Sequence, residues 1–309
     1  MVVQKVKIRR LLTAMVTTFS ENNEVDCEQA QRLAVALINS GSDGLVVTGT
    51  TGENPTLFHE ENFMLWSAVK EVVGNRAAVI AGSGTNSTNE TILLSREAEK
   101  VGVDGLLLVV PYYNKPSQEG LYRHFRAVAE STSLPCILYN VPSRTVVNMT
   151  AETTLRLAND VPNIIGTKEA SSDFLQIDEI IKKAPKGFRV WSGNDSDILR
   201  IMKMGGYGVI SVASHLVGRQ IKHMIELIVN EDYRVASREN KRLMKLFKGL
   251  FVVTNPVAVK YCLNHVGFNV GGLRLPLVEA DTEIVNFLDN LLGDYVIDLP
   301  VVDVKTCLP

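Results

Sequence analysis

A (β/α)8 barrel is the fold the sequence predicts, and three observations predict it. Eight short apolar runs recur along the chain, helical patterns fill the intervals between them, and no glycine-rich nucleotide turn follows the first run. The runs are almost uninterrupted rather than alternating, which marks parallel strands covered on both faces. Eight strand–helix units imply a closed barrel rather than an open doubly wound sheet. The 309 residues, 46% apolar and 21% charged, have the composition of a soluble globular protein and the length of a large barrel.

The strands fall at residues 11–16, 44–47, 77–81, 105–110, 136–139, 163–167, 189–191 and 208–212. The first follows Lys5, Lys7, Arg9 and Arg10 and so mimics a secretion signal. Its apolar run ends after six residues at Thr17-Thr18, too soon for a signal core, and it reads as a strand. Between strands, residues 28–40 put Ala30, Leu33, Ala34, Leu37 and Ile38 on one helical face. Residues 89–101 and 120–131 have the same character. Asp26, Ser117 and Asp195 are the N-caps expected. Gly41, Gly74, Gly102, Pro135 and Gly187 mark the returns from helix to strand. The turn after the first strand, Thr17-Thr18-Phe19-Ser20, has no glycine. The stretch Gly82-Ser83-Gly84-Thr85-Asn86-Ser87 lacks the third glycine of a dinucleotide fingerprint. Beyond the catalytic barrel at 1–230, helical patterns at 235–250, 256–265 and 281–292 make 231–309 a helical appendage packed on it.

A net charge of −2 without a basic stripe or tail gives no footprint for nucleic acid or anionic lipid, and no run is long enough to span a membrane. Cys27, Cys136, Cys262 and Cys307 show no paired spacing, as expected of reduced thiols in the cytoplasm. His59, His124, His215, His223 and His265 are scattered, so no metal site is expected.

Barrel enzymes work at the C-terminal ends of their strands. There the chain presents Thr48 to Glu53 after strand 2, Pro111 to Asn114 after strand 4, and Tyr139-Asn140 after strand 5 with Arg144 in its loop. Thr167-Lys168-Glu169 follows on strand 6, Ser192-Gly193 on strand 7 and Ile210-Ser211 on strand 8. Lys168 ends a buried apolar strand, a costly place for an amine unless it is paired or used. Burial disfavours an ammonium ion, and a neutral amine can attack a ketone and form an imine. The alternative is a structural ion pair with Glu169, although strand neighbours point to opposite faces. Tyr139 on the adjacent strand is a proton shuttle or an aromatic plug. Thr50 and Tyr113 can extend it as a chain of hydroxyls. The turn Gly49-Thr50-Thr51-Gly52 suits a small carboxylate or is simply a tight turn, and Arg144 is a carboxylate fork or a solvated charge.

Together these segments resemble the dihydrodipicolinate synthase family, within a superfamily that includes N-acetylneuraminate lyase. The matching stretches are GTTGE at 49–53, PYYNKPSQEGLY at 111–122, YNVPSRT at 139–145, GTKEAS at 166–171, SGND at 192–195, NPVAVKY at 255–261 and LRLP at 273–276. The resemblance implies that pyruvate condenses with Lys168 and that the enamine attacks L-aspartate 4-semialdehyde to give 4-hydroxy-tetrahydrodipicolinate on the route to lysine. It implies that Tyr139 transfers protons with Thr50 and Tyr113, Tyr113 coming from a neighbouring subunit. Thr51 and Ile210 contact pyruvate, Gly193 belongs with the substrate-binding residues, and Arg144 receives the semialdehyde carboxylate. A homotetramer without metal or organic cofactor is implied. His59, Asn86, Glu90 and Tyr112 match an L-lysine inhibitor site, while Asn54, Pro55 and Asn62 depart from its pattern. Val146 stands where the family usually has glycine, which predicts a differently shaped Arg144 loop. Asn194 and Thr18 also differ.

Two other readings compete. A pyruvate-dependent sugar-acid aldolase of the N-acetylneuraminate lyase type uses the same lysine and tyrosine with another acceptor site. A non-catalytic amino-acid-binding barrel requires the loss of one of those groups.

Overall fold

The computed structural model describes residues 6–300. Eight parallel strands close a barrel in chain order. They are β1 (Leu11–Ala14), β2 (Gly44–Val47), β3 (Ala78–Gly82), β4 (Gly105–Val109), β5 (Cys136–Asn140), β6 (Ile164–Glu169), β7 (Arg189–Ser192) and β8 (Gly208–Ser211). Each of the eight apolar runs is thus a strand, shifted at most by two residues at an end.

Around them lie α1 (Cys27–Asn39), α2 (His59–Val73), α3 (Thr88–Val101), α4 (Gln118–Glu130), the single turn α5 (Pro142–Thr145), α6 (Ala151–Asp160), α7 (Phe174–Lys183), α8 (Ile198–Lys203) and α9 (Ser214–Val229). Asp26 and Ser117 cap their helices as expected, accepting from Gln29 N at 2.9 Å and Gly120 N at 3.2 Å. Asp195 does not cap its own helix. Its carboxylate crosses to the end of β8 and accepts from Val212 N at 3.0 Å and Ala213 N at 2.9 Å. Those amides open the approach to α9 and have no backbone acceptor there, so the turn that follows β7 supplies one.

Strand alternation sorts the core into two shells. Leu12, Val46, Ile80, Leu107, Ile137, Tyr139, Trp191 and Ile210 fill the barrel. Leu11, Leu45, Val79, Leu106, Leu138 and Val209 face the helices. The outer shell continues without a break into α10 (Tyr233–Gly249), α11 (Val257–His265) and α12 (Thr282–Leu292) through Leu246, Leu263 and Leu288. No helix among the described residues is long and apolar enough to cross a membrane.

Trp191 closes the N-terminal end of the barrel. Its indole donates to Arg9 O at 3.0 Å, and its ring meets Tyr207 edge-on at 5.3 Å between centroids. Gly166 on β6 makes room for it: a Cβ there would stand 2.2 Å from Arg189 O and 2.7 Å from the indole ring. Gly166→Ala should therefore destabilise the protein by about 1–3 kcal/mol. Urea unfolding reads this as a lowered midpoint, and an unchanged midpoint would show that the floor yields freely.

Candidate active site

Tyr139 and Lys168 are direct register partners across β5 and β6. Both face the barrel interior and both are buried. The Lys168 Nζ lies 4.2 Å from the centroid of the Tyr139 ring. The carboxylate whose charge the amine feels is that of the buried Asp195, beyond β7. The ion pair with Glu169 does not form, because alternation sends Glu169 to the outer face. There its oxygens accept from Asn140 Nδ2 at 3.3 Å and from Ser171 Oγ at 2.9 Å.

A cavity of about 240 Å³ opens above the barrel, walled by Thr48 to Thr50, Asn54, Pro55, Leu107, Val109, Tyr112, Tyr139, Val141, Arg144 and Thr145. Lys168 does not itself reach this wall; it meets the ring of Tyr139, which does. Thr50 and Arg144 stand on the wall with Tyr139. Thr51 is buried just behind it, its hydroxyl accepting from Asn255 Nδ2 at 2.9 Å. The Arg144 guanidinium donates to Asn255 O at 3.0 Å. It also borders an outer groove formed by residues 251–255 and 276–281. Asn255 therefore ties together two groups suited to carboxylates, and sequence reading had not singled it out within the NPVAVKY stretch.

Ile210 lies in the same interior cluster as Tyr139. Gly193 follows β7, where its N–H is committed to Glu169 O at 2.6 Å and a Cβ would meet that of Ala170 at 2.6 Å. Tyr113 is not brought to Tyr139 within one chain. It is 90% exposed, at φ 72°, and off the cavity wall, where Tyr112 stands instead. Burial raises the Tyr112 phenol above its usual range.

His59 Nε2 contacts Glu90 Oε1 on the surface. Asn86 precedes α3, and Asn114 bridges it to Tyr112, donating to Asn86 O at 2.7 Å and to Tyr112 O at 2.9 Å. Two positions that depart from the family's inhibitor pattern bond each other, Asn54 Nδ2 to Asn62 Oδ1 at 3.1 Å.

The segment carrying Arg144 is held from both ends. Thr145 Oγ1 bonds Val147 O at 2.9 Å, and Asn140 Nδ2 bonds Asn148 Oδ1 at 2.8 Å. Between them Val146 takes φ 63°, the conformation glycine would supply. The valine accepts a strain of about 1–3 kcal/mol with its side chain in solvent.

Among the described residues no group of three or more His, Cys, Asp or Glu side chains is arranged to hold a metal ion. An amine against a phenol, hydroxyls in a tight turn and a guanidinium, all at the strand ends, define an enzyme of the class I aldolase type. The model of the dihydrodipicolinate synthetase family matches residues 7–294. The chain belongs to that family. It is 56% identical over 295 residues to the 4-hydroxy-tetrahydrodipicolinate synthase of Dehalococcoides mccartyi, covering 96% of this chain and 99% of that one. It is 55% identical over 285 residues to the enzyme of the same name from Symbiobacterium thermophilum, covering 92% and 97%. A crystal structure of DHDPS from Cyanidioschyzon merolae with lysine bound superposes with a TM-score of 0.91 at 43% identity, over 93% of this chain and 98% of that one.

Burial pushes the Glu169 carboxyl up to about 7, against the hydrogen bonds from Ser171 and Asn140. A carboxyl raised on folding stabilises fully below its ordinary value of 4.5 and loses that contribution as pH climbs through about 7. Glu169→Gln, which cannot ionise, should keep its stability across this interval while the parent declines. Denaturant midpoints measured along the pH series check this, and parallel curves would contradict it.

Proposed function

We propose that the protein condenses pyruvate with L-aspartate 4-semialdehyde through an imine on Lys168, giving 4-hydroxy-tetrahydrodipicolinate for lysine biosynthesis. The observation that carries the reading is the buried Lys168 amine against the Tyr139 ring. The amine adds to the pyruvate ketone, and loss of water gives the imine. Tyr139 supplies and removes the protons, with Thr50 beside it on the wall. Proton loss from the pyruvate methyl group gives an enamine. Its carbon forms a bond to the aldehyde carbon of the second substrate, whose oxygen takes up a proton. The amino group of that substrate then attacks the imine carbon and closes the ring, and Lys168 leaves as the free amine.

The carboxylates have separate seats in this reading. The turn at Thr50 and Thr51 receives that of pyruvate, and Arg144, open to the outer groove, receives that of the semialdehyde. Ile210, from the same interior cluster as Tyr139, contacts pyruvate in this reading. The Gly193 amide is already committed to Glu169, which leaves its carbonyl for a substrate. The exposure of Tyr113 supports a role in a neighbouring copy, within the homotetramer expected of the family. The surface around His59, Glu90, Asn86 and Tyr112 suits L-lysine as an effector, in keeping with the lysine bound to the Cyanidioschyzon merolae protein.

Pyruvate followed by borohydride should add one reduced pyruvyl group, and peptide mapping should find it on Lys168. Lys168→Ala should retain the fold and lose turnover by about 10³-fold or more. An unmodified Lys168, or a fully active variant, would overturn the mechanism.

A further inference from the structure

Glu53 closes the turn that begins at Gly49, and it is the least expected residue there. It is buried and takes φ 56°, a left-handed conformation that a long side chain seldom adopts. Both of its carboxylate oxygens are held by the C-terminal part of the chain. Oε1 pairs with Lys260 Nζ at 2.8 Å, and Oε2 accepts from Arg274 N at 3.1 Å. The two side chains of the pair are 0% and 2% exposed. Lys260 also donates to Gly272 O at 2.5 Å and lies 4.3 Å from the Phe19 ring centroid. Arg274 extends the clamp with a two-point pair to Glu61 at 2.7 and 2.6 Å.

A buried ion pair is poor value as a source of stability, because desolvation offsets most of the attraction. Its distinctive property is geometry: each charge accepts only a partner in one place. Here that geometry sits one residue beyond Gly52 and two beyond Thr51, whose hydroxyl is held by Asn255 from the same part of the chain. Three bonds thus reach the turn from residues 255, 260 and 274, across more than 200 positions of sequence.

We infer that Glu53 and Lys260 are positioning residues for the substrate carboxylate: from α11 their pair sets the turn that presents the Thr50 and Thr51 hydroxyls. The inference rests on the reading that this turn receives the carboxylate of pyruvate. The C-terminal helices then act on substrate affinity without touching substrate or the reacting atoms. Loss of the pair loosens a contact made equally in ground and transition states, so it raises KM and leaves kcat almost unaltered.

The test uses the full chain and steady-state kinetics in pyruvate at saturating second substrate. Thr51→Val in the parent tests the reading itself, and a raised pyruvate KM supports it. Glu53→Gln/Lys260→Met replaces the pair with uncharged groups of similar size, a change buried ion pairs often tolerate. With its fold verified by circular dichroism, the double variant should show a pyruvate KM about tenfold higher and a kcat within about twofold. Glu53→Asp keeps the charge pair but shortens its reach and should show a smaller rise, of about threefold, which decides the matter should the double variant fail to fold. A KM unchanged in the folded variants while Thr51→Val raises it would overturn the inference and spare the reading. A KM unchanged in Thr51→Val would overturn both.

Discussion

Backbone register decides where the amine and the phenol meet. Neighbouring strands of a sheet lie about 4.8 Å apart, and residues paired across them project to the same face. Tyr139 and Lys168 are such a pair, so a nucleophile and a proton carrier are brought together before any side-chain contact is made. Their immediate neighbours, Asn140 and Glu169, are paired in the same register, project the other way and bond each other behind the site. The barrel thus carries one pair of residues for chemistry and, back to back with it, one pair that locks the strands together.

The binding groups are positioned by a different part of the molecule. Arg144 and Thr51 are both bonded by Asn255, and the turn at 49–53 is anchored on Lys260 and Arg274. The barrel supplies the reactive centre, and the C-terminal segment shapes the seats around it. Stiff strands suit a centre that must hold its geometry through several steps. Turns fastened from outside suit groups that must match the outline of a substrate.

The barrel was legible in the sequence because buried parallel strands leave apolar runs that turn signals punctuate, and all eight runs became strands. Lys168 was legible for the same reason: a charge at the end of such a run stands out. The fastenings were not. Asp195 reads locally as a cap, yet its partners lie 17 and 18 residues on, at the end of the next strand. Glu53 and Lys260 are 207 positions apart, and Arg144 and Asn255 are 111 apart, distances over which no periodicity carries information. Val146 was legible as an anomaly, and it takes a left-handed φ of 63°. The bonds from Thr145 and Asn140 hold that turn from both sides, and both join residues that no periodicity pairs. Tyr113 was identifiable as a residue, but its direction was not, since its side chain leaves its own chain's cavity altogether.

The account depends most on the Tyr139 hydroxyl serving the amine its ring supports. Tyr139→Phe keeps the ring against Lys168 and removes only the hydroxyl. The rate at which pyruvate becomes trappable by borohydride on Lys168 should then fall by about 10²–10⁴-fold, the usual contribution of a positioned acid–base group. A rate equal to that of the parent would show that the phenol is merely packing and that the protons travel by another route.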